Sequence, residues 1–139
     1  MPADTPTPDD VWRLLTHLVN DSRDAWKRAV VERTGMPFSR VRVLRRLRPG
    51  PLTVKELASA AAMDAPATTV TVNDLESRGL VVREIDPENR RRKLVSLTDE
   101  GREVVARALA TPDPAPAEVE QLDADDLRAL HRLLRKLEH

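Results

Sequence analysis

The amino-acid sequence predicts a mainly α-helical protein carrying one small β-hairpin, on three observations. Apolar residues recur at helical spacing through most of the 139 residues. Glycine and proline cut that pattern into segments, at Gly35, at Pro49-Gly50-Pro51, at Gly79 and at Pro112, Pro114 and Pro116. One stretch departs from it: LVVREI and KLVSL read as strands, with the polar residues DPENRRR between them. A chain of this length favours one domain with a modest core.

Each element follows from its residues. Residues 1–8 are proline-rich and are expected to be disordered. A helix runs from Asp9 to Gly35, its acidic start complementing the helix dipole. Val11, Leu15 and Leu18 lie on its apolar stripe, which is wide enough to meet a partner as well as its own core. A short helix follows, with Ser39 as the expected N-cap and Val41, Val43, Leu44 and Leu47 as its apolar side. Thr53 and Glu56 form a capping box that opens a short alanine-rich helix. Asp64 caps the next helix, Pro66 sits in its first turn and Gly79 ends it. Two short helices joined by a few residues make a helix-turn-helix. The seven polar residues between the strands exceed a two-residue turn and should project as a loop. Thr98 caps a further helix, which the prolines at 112–116 break. In the last helix, opening at Asp123, Leu127, Leu130, Leu134 and Leu137 have a 3-4-3 spacing suited to pairing with another helix.

Composition narrows the function. The absence of cysteine removes disulfides, thiolate catalysis and thiolate metal sites. His17, His131 and His139 lack metal-ligand spacing, so neither a metal nor a cofactor is expected. The serines have no glycine-rich elbow or histidine partner and there is no phosphate-binding loop, so the chain does not read as an enzyme. No stretch approaches the roughly 20 apolar residues that span a bilayer. The polar, acidic N-terminus is not a secretory signal, which makes the cytoplasm the expected location. Net charge is zero, yet its distribution is uneven. Residues 36–49 hold five basic side chains (Arg40, Arg42, Arg45, Arg46, Arg48) and none acidic, while residues 99–139 hold six basic and ten acidic. Four consecutive cations fill positions 90–93. A chain so patterned can bind DNA on one surface.

Helix, turn, helix and a hairpin with a basic loop is the order of a winged helix. At LTVKELA, DLESRGLVVRE and DPENRRRKLVSLTDEG the sequence resembles the MarR family of bacterial transcriptional regulators. The resemblance implies a winged helix-turn-helix plus a helical dimerisation region: residues 36–98 for DNA binding, residues 9–35 and 99–139 for dimerisation. It implies a homodimeric repressor whose recognition helix, about residues 65–78, enters the major groove while the wing, residues 86–92, reaches the minor groove. It also implies release by a small aromatic effector, for which no motif marks a site.

Within that frame the family's wing pattern falls on Asn89, Arg91, Leu97 and Thr98, so Arg91 takes the place of the minor-groove arginine. Asn89 stands where the family has an aspartate; an amide can hydrogen-bond but not pair ionically, so a looser wing tip is expected. Arg90 and Arg92 add electrostatic anchoring. The recognition helix departs further. Residues 65–76 contain no Lys or Arg, and Val70 stands where the family often has arginine. Val72 and Leu75 mark the inward side, which leaves Pro66, Thr69, Val70 and Asn73 outward. Asparagine can bond adenine bidentately and valine can meet a thymine methyl, which points to an A·T-leaning site. Asp74 would repel phosphate unless it accepts from cytosine or pairs with an arginine. Lys55 is a candidate phosphate contact, weighed against simple solvation. Thr68 and Thr71 read as buried against the preceding helix. Salt bridges to acidic neighbours are expected for most of the arginines at 40–48, and Trp12, Trp26 and Phe38 read as core or interface residues.

The resulting expectation is a dimeric DNA-binding regulator with double-stranded DNA and a second copy of itself as partners. Val11, Leu15, Leu18, Leu127, Leu130, Leu134 and Leu137 would form the dimer. The rival is a winged-helix module that binds protein, favoured by the cation-free recognition helix.

Overall fold

The computed structural model describes residues 4–138, so part of the expected N-terminal tail (residues 1–3) and His139 lie outside the described residues. In order the elements are α1 (Pro8–Thr34), α2 (Phe38–Arg46), α3 (Val54–Ala60), α4 (Ala65–Ser77), β1 (Val81–Asp86), β2 (Asn89–Leu97), α5 (Asp99–Leu109), α6 (Ala117–Glu120) and α7 (Ala124–Arg135). The chain forms two compact units, one of Arg23–Thr111 and one built from the segments up to Ser22 and from Pro112 onward. Among the described residues no helix is long and apolar enough to cross a membrane.

The larger unit holds the core. Val30, Val41, Val43, Leu44, Leu57, Val72, Leu75, Val81 and Val95 are buried together, and Val104, Val105 and Ala108 of α5 close the cluster. It is wider than residues 36–98 because a helix pair with an isolated hairpin cannot bury its own apolar side. The end of α1 and the length of α5 supply the missing surface. Trp26 and Phe38 meet edge to face at the rim, ring centroids 5.6 Å apart and planes at 75°.

Local chemistry sets the ends of the elements. Thr53 and Glu56 form the reciprocal capping box at α3, and Asp64 Oδ1 accepts the Ala67 amide at 2.7 Å to open α4. Gly79 closes α4 at φ +76°, a conformation unfavourable for residues with a Cβ. Thr98 Oγ1 accepts from the Gly101 amide at 3.0 Å and donates to the Gly79 carbonyl at 2.7 Å, joining the start of α5 to the end of α4. A Cβ on Gly101 would lie 2.0 Å from the Leu80 carbonyl oxygen, so this junction tolerates no side chain there.

Several boundaries differ from the sequence reading. Thr7 and Asp10 cap α1 reciprocally, so the end of the expected disordered tail is an ordered helix start at Pro8. Ser39 is not the cap of α2: the helix begins at Phe38, and Pro37, with its pre-set φ of −55°, takes the N-cap position without a side-chain bond. The proline run ends in Pro116, the N-cap of a one-turn helix, α6, unforeseen in the sequence.

The seven-residue loop is also replaced. β1 and β2 pair antiparallel, and only Pro87 and Glu88 lie between them. The register jumps near the tip: Ile85 pairs with Lys93 but Asp86 with Asn89, so Arg90, Arg91 and Arg92 have no cross-strand partner. The projecting feature is a tight turn followed by a bulge.

In the smaller unit, α6 and α7 have no buried residue. Val11, Trp12, Leu14 and Val19 on α1, and Leu127, Leu133 and Leu134 on α7, are exposed, with Leu15, Leu18 and Leu130 half-buried. Leu137 falls in the turn after α7 rather than on the helical seam.

Candidate nucleic-acid interface

Helix α4 is amphipathic in an unusual way. Its inward side is Thr68, Thr71, Val72 and Leu75, all buried. The two threonines are satisfied internally: Thr68 Oγ1 donates to the Asp64 carbonyl at 2.8 Å, and Thr71 Oγ1 accepts from Arg40 Nη1 at 3.2 Å. Pro66, Thr69, Val70 and Asn73 lie exposed on the opposite side, with Val70 at 62%.

The acidic residues of this helix are neutralised by arginines from neighbouring elements and from its own C-cap. Asp74 Oδ2 accepts from Arg40 Nε of α2 at 3.1 Å and from Arg78 Nε at 3.0 Å. The Arg40 hydrogen bond, assisted by Arg78, holds the Asp74 carboxyl below the usual carboxylate range. Glu76 Oε1 accepts from Arg83 Nη2 of β1 at 2.9 Å, which lowers the Glu76 pKa and raises that of Arg83. The same Nη2 donates to Asn73 Oδ1 at 2.6 Å. A helix without a cation in its body is therefore set among Arg40, Arg78 and Arg83.

The wing is held by its own short contacts. Asp86 is only 4% exposed. Its Oδ1 accepts the Glu88 amide at 2.9 Å and its Oδ2 accepts Arg92 Nε at 2.7 Å. The Glu88 amide bond and then Arg92 hold the Asp86 carboxyl below the usual range. Asn89 Oδ1 accepts the Arg91 amide at 3.1 Å, so the amide supplies a turn-stabilising acceptor. Arg92 is thus engaged in supporting the bulge. Arg90 and Arg91 are exposed and have no ion pair among the described residues. Lys55, on the first turn of α3, is exposed as well.

The arginines of α2 behave differently from expectation. Of the five at positions 40–48, Arg40 alone forms a salt bridge among the described residues. No acid lies within residues 36–49 to serve the others. Arg42, Arg45 and Arg46 instead line, with Phe38, a cavity of about 200 Å³. Lys27 Nζ lies 5.3 Å and the Arg42 guanidinium 5.9 Å from the centre of the Phe38 ring. Among the described residues no acid and histidine cluster could hold a metal ion.

Arg83, Arg40 and Asp86 were missed as site-forming residues in the sequence. Arg83 had a signal: it shares the strand parity of Val81 and so faces the same side as that core residue. For Arg40 an ion pair is expected, as is an arginine partner for Asp74, but nothing in the sequence matches the two across 34 positions.

Residues 34–92 match the model of the MarR family. Among solved structures, YusO from Bacillus subtilis is 25% identical, the match covering 95% of this chain and 97% of that one with a TM-score of 0.68. CouR from Rhodococcus jostii RHA1, bound to p-coumaroyl-CoA, is 29% identical over 93% of this chain and 92% of its own, TM-score 0.66. An S. aureus MepR mutant bound to an oligodeoxyribonucleotide shares the fold at 21% identity, 96% coverage of each chain and a TM-score of 0.62. The family match spans the helix-turn-helix and the wing tip whose geometry is described above, and the fold is shared over nearly the whole chain. The chain is thus similar to the MarR family over residues 34–92 and shares the winged helix-turn-helix fold of these solved structures.

Proposed function

We propose that the protein is a dimeric, cytoplasmic DNA-binding repressor that acts by binding rather than catalysis. Its operator would be near-palindromic, with half-sites about one helical turn apart. The observation that carries this reading is the combination of an outward α4 face with exposed Arg90 and Arg91 at the hairpin tip, neither in an ion pair among the described residues. Helix α4 would enter the major groove and the wing the adjacent minor groove. Arg90, Arg91 and Lys55 supply phosphate and groove electrostatics, while Pro66, Thr69, Val70 and Asn73 supply base contact. Arg92 contributes field and wing support together. The MepR complex with an oligodeoxyribonucleotide gives a precedent for DNA on this fold.

Fluorescence anisotropy against the promoter of the protein's own gene tests it. Specific binding that survives competitor DNA is expected, and Arg91→Ala should weaken it. Absence of binding at low salt would favour the rival, a protein-binding winged-helix module, which the outward Val70 and the cation-free α4 support.

Self-association is supported by the exposed apolar residues of α1 and α7. Val11, Leu15, Leu18, Leu127, Leu130 and Leu134 form its proposed contact set, with Leu137 joining from the turn. Sedimentation should give a dimer at micromolar concentration; a stable monomer contradicts the two-half-site geometry. Release is assigned to a small aromatic acid held by Phe38 and the guanidinium groups of Arg42, Arg45 and Arg46, whose chemistry suits a ring with a carboxylate. An aromatic carboxylate should lower DNA affinity in the parent and lose that effect in Arg42→Ala.

A further inference from the structure

Asn73 stands on the exposed face of α4, and its amide is oriented by a neighbouring element. Arg83 Nη2 donates to Asn73 Oδ1 at 2.6 Å. A guanidinium has five N–H donors and no acceptor, so the atom facing it must be the oxygen and the amide cannot be flipped. Arg83 is pinned in turn by Glu76, through Nη2 to Oε1 at 2.9 Å and Nε to Oε2 at 3.4 Å. The strand places the guanidinium and the guanidinium places the amide. The Asn73 nitrogen keeps two N–H donors with no partner among the described residues.

We propose that Arg83 sets the base preference of the recognition helix by holding the Asn73 oxygen on the protein side, so that Asn73 reads bases chiefly as a donor. The inference rests on the reading of the chain as a DNA-binding regulator. Bidentate recognition of adenine needs the asparagine oxygen to accept from N6 while the nitrogen donates to N7. Here Arg83 takes one of the oxygen's two lone pairs and draws the oxygen toward β1, which favours the nitrogen as the group that meets the base. In the major groove guanine offers N7 and O6, adenine N7 and thymine O4 as acceptors, whereas cytosine offers a donor. The position read by Asn73 therefore disfavours cytosine and does not single out adenine. That replaces the A·T preference an unrestrained asparagine would give. Arg83 touches no base in this scheme; it is a positioning residue, and its signature is a changed rule of selection.

Selection of bound sequences from a randomised DNA pool, with the full-length chain and four variants, tests this. Asn73→Ala should flatten one position in each half-site, which identifies the base Asn73 reads. There the parent should disfavour cytosine by about fivefold to tenfold against the other three bases, the worth of one hydrogen bond. Arg83→Met should free the amide and shift that position to adenine over guanine. Arg83→Lys keeps a cationic donor and should keep the parent rule. Asn73→Asp, an exposed change that leaves Arg83 its partner, offers the base an acceptor only and should turn the discrimination against cytosine into a preference for it. A parent that already demands adenine there, an Asn73→Ala variant that flattens no position, or an Asn73→Asp variant with the parent's preferences overturns the proposal. So does a folded Arg83→Met that selects as the parent does. A parent that enriches no sequence refutes the regulator reading, and this proposal with it; a clear parent motif unmoved by the variants refutes the proposal alone.

Discussion

The recognition helix and the wing solve opposite problems. Helix α4 carries no lysine or arginine, and its two acids are neutralised by Arg40, Arg78 and Arg83. It is held from one side by Thr68, Thr71, Val72 and Leu75, and it offers shape and a directed amide on the other. The wing tip has no comparable core, and short bonds from Asp86 and Asn89 hold a bulge that presents bare cations. On the proposed DNA-binding reading, the difference amounts to a division of labour: sequence discrimination on the tertiary scaffold, salt-dependent affinity on the local turn.

That comparison can be broken at several points. The largest effect is expected on the buried side of α4, where Leu75 is fully enclosed. Leu75→Ala should destabilise the fold by about 2–5 kcal/mol in urea melts, while alanine at Arg90 leaves the melt in place. Comparable melting shifts for the two would show that the helix is not anchored as described. Next comes the wing: replacing Arg90 and Arg91 together by alanine should weaken binding across sequences and make the log–log salt slope shallower by about 2. A changed base preference with an unchanged salt slope would place those side chains elsewhere.

Val70→Arg is expected to act more modestly. It adds a cation to the exposed side of α4 and should tighten non-specific binding by roughly three- to tenfold at low salt while shifting site preference. An unaltered preference would mean that Val70 does not face bases. The smallest effect concerns pH. Asp74, Glu76 and Asp86 are held below their ordinary pKa values by arginine and amide donors. Their stabilisation is complete above the unfolded carboxylate values of about 4 and is lost as pH falls through the lower folded values. Thermal stability should therefore be flat between pH 5 and 8 with respect to these groups, and the acid-side decline should become gentler in Asp86→Asn.

Much of the fold was legible because its signals are local. The Thr53–Glu56 box, the Asp64 cap, Gly79 and the Thr98 cap each lie within a few residues of what they control, and all stand as read. The outward positions of α4 followed from helical periodicity alone. The wing loop was misjudged because polarity does not reveal pairing: Asn89 to Arg92 are hydrophilic and belong to a strand all the same. Ser39 is not the cap because Pro37, two residues earlier, already supplies the extended entry to α2.

By itself the sequence determined the order of every element except α6, most caps, the inward and outward sides of α4, and the resemblance to the MarR family. Only the tertiary structure decided which charges remain available. Arg40 reaches Asp74 across 34 positions, Arg83 reaches Asn73 across 10, and Arg92 turns back to Asp86 while its neighbours stay bare. Caps and periodicity act over a turn of backbone, so they are written in adjacent letters. Ion pairs and directed amides depend on which elements pack together, and that is settled by burial of the core rather than by the residues that end up touching.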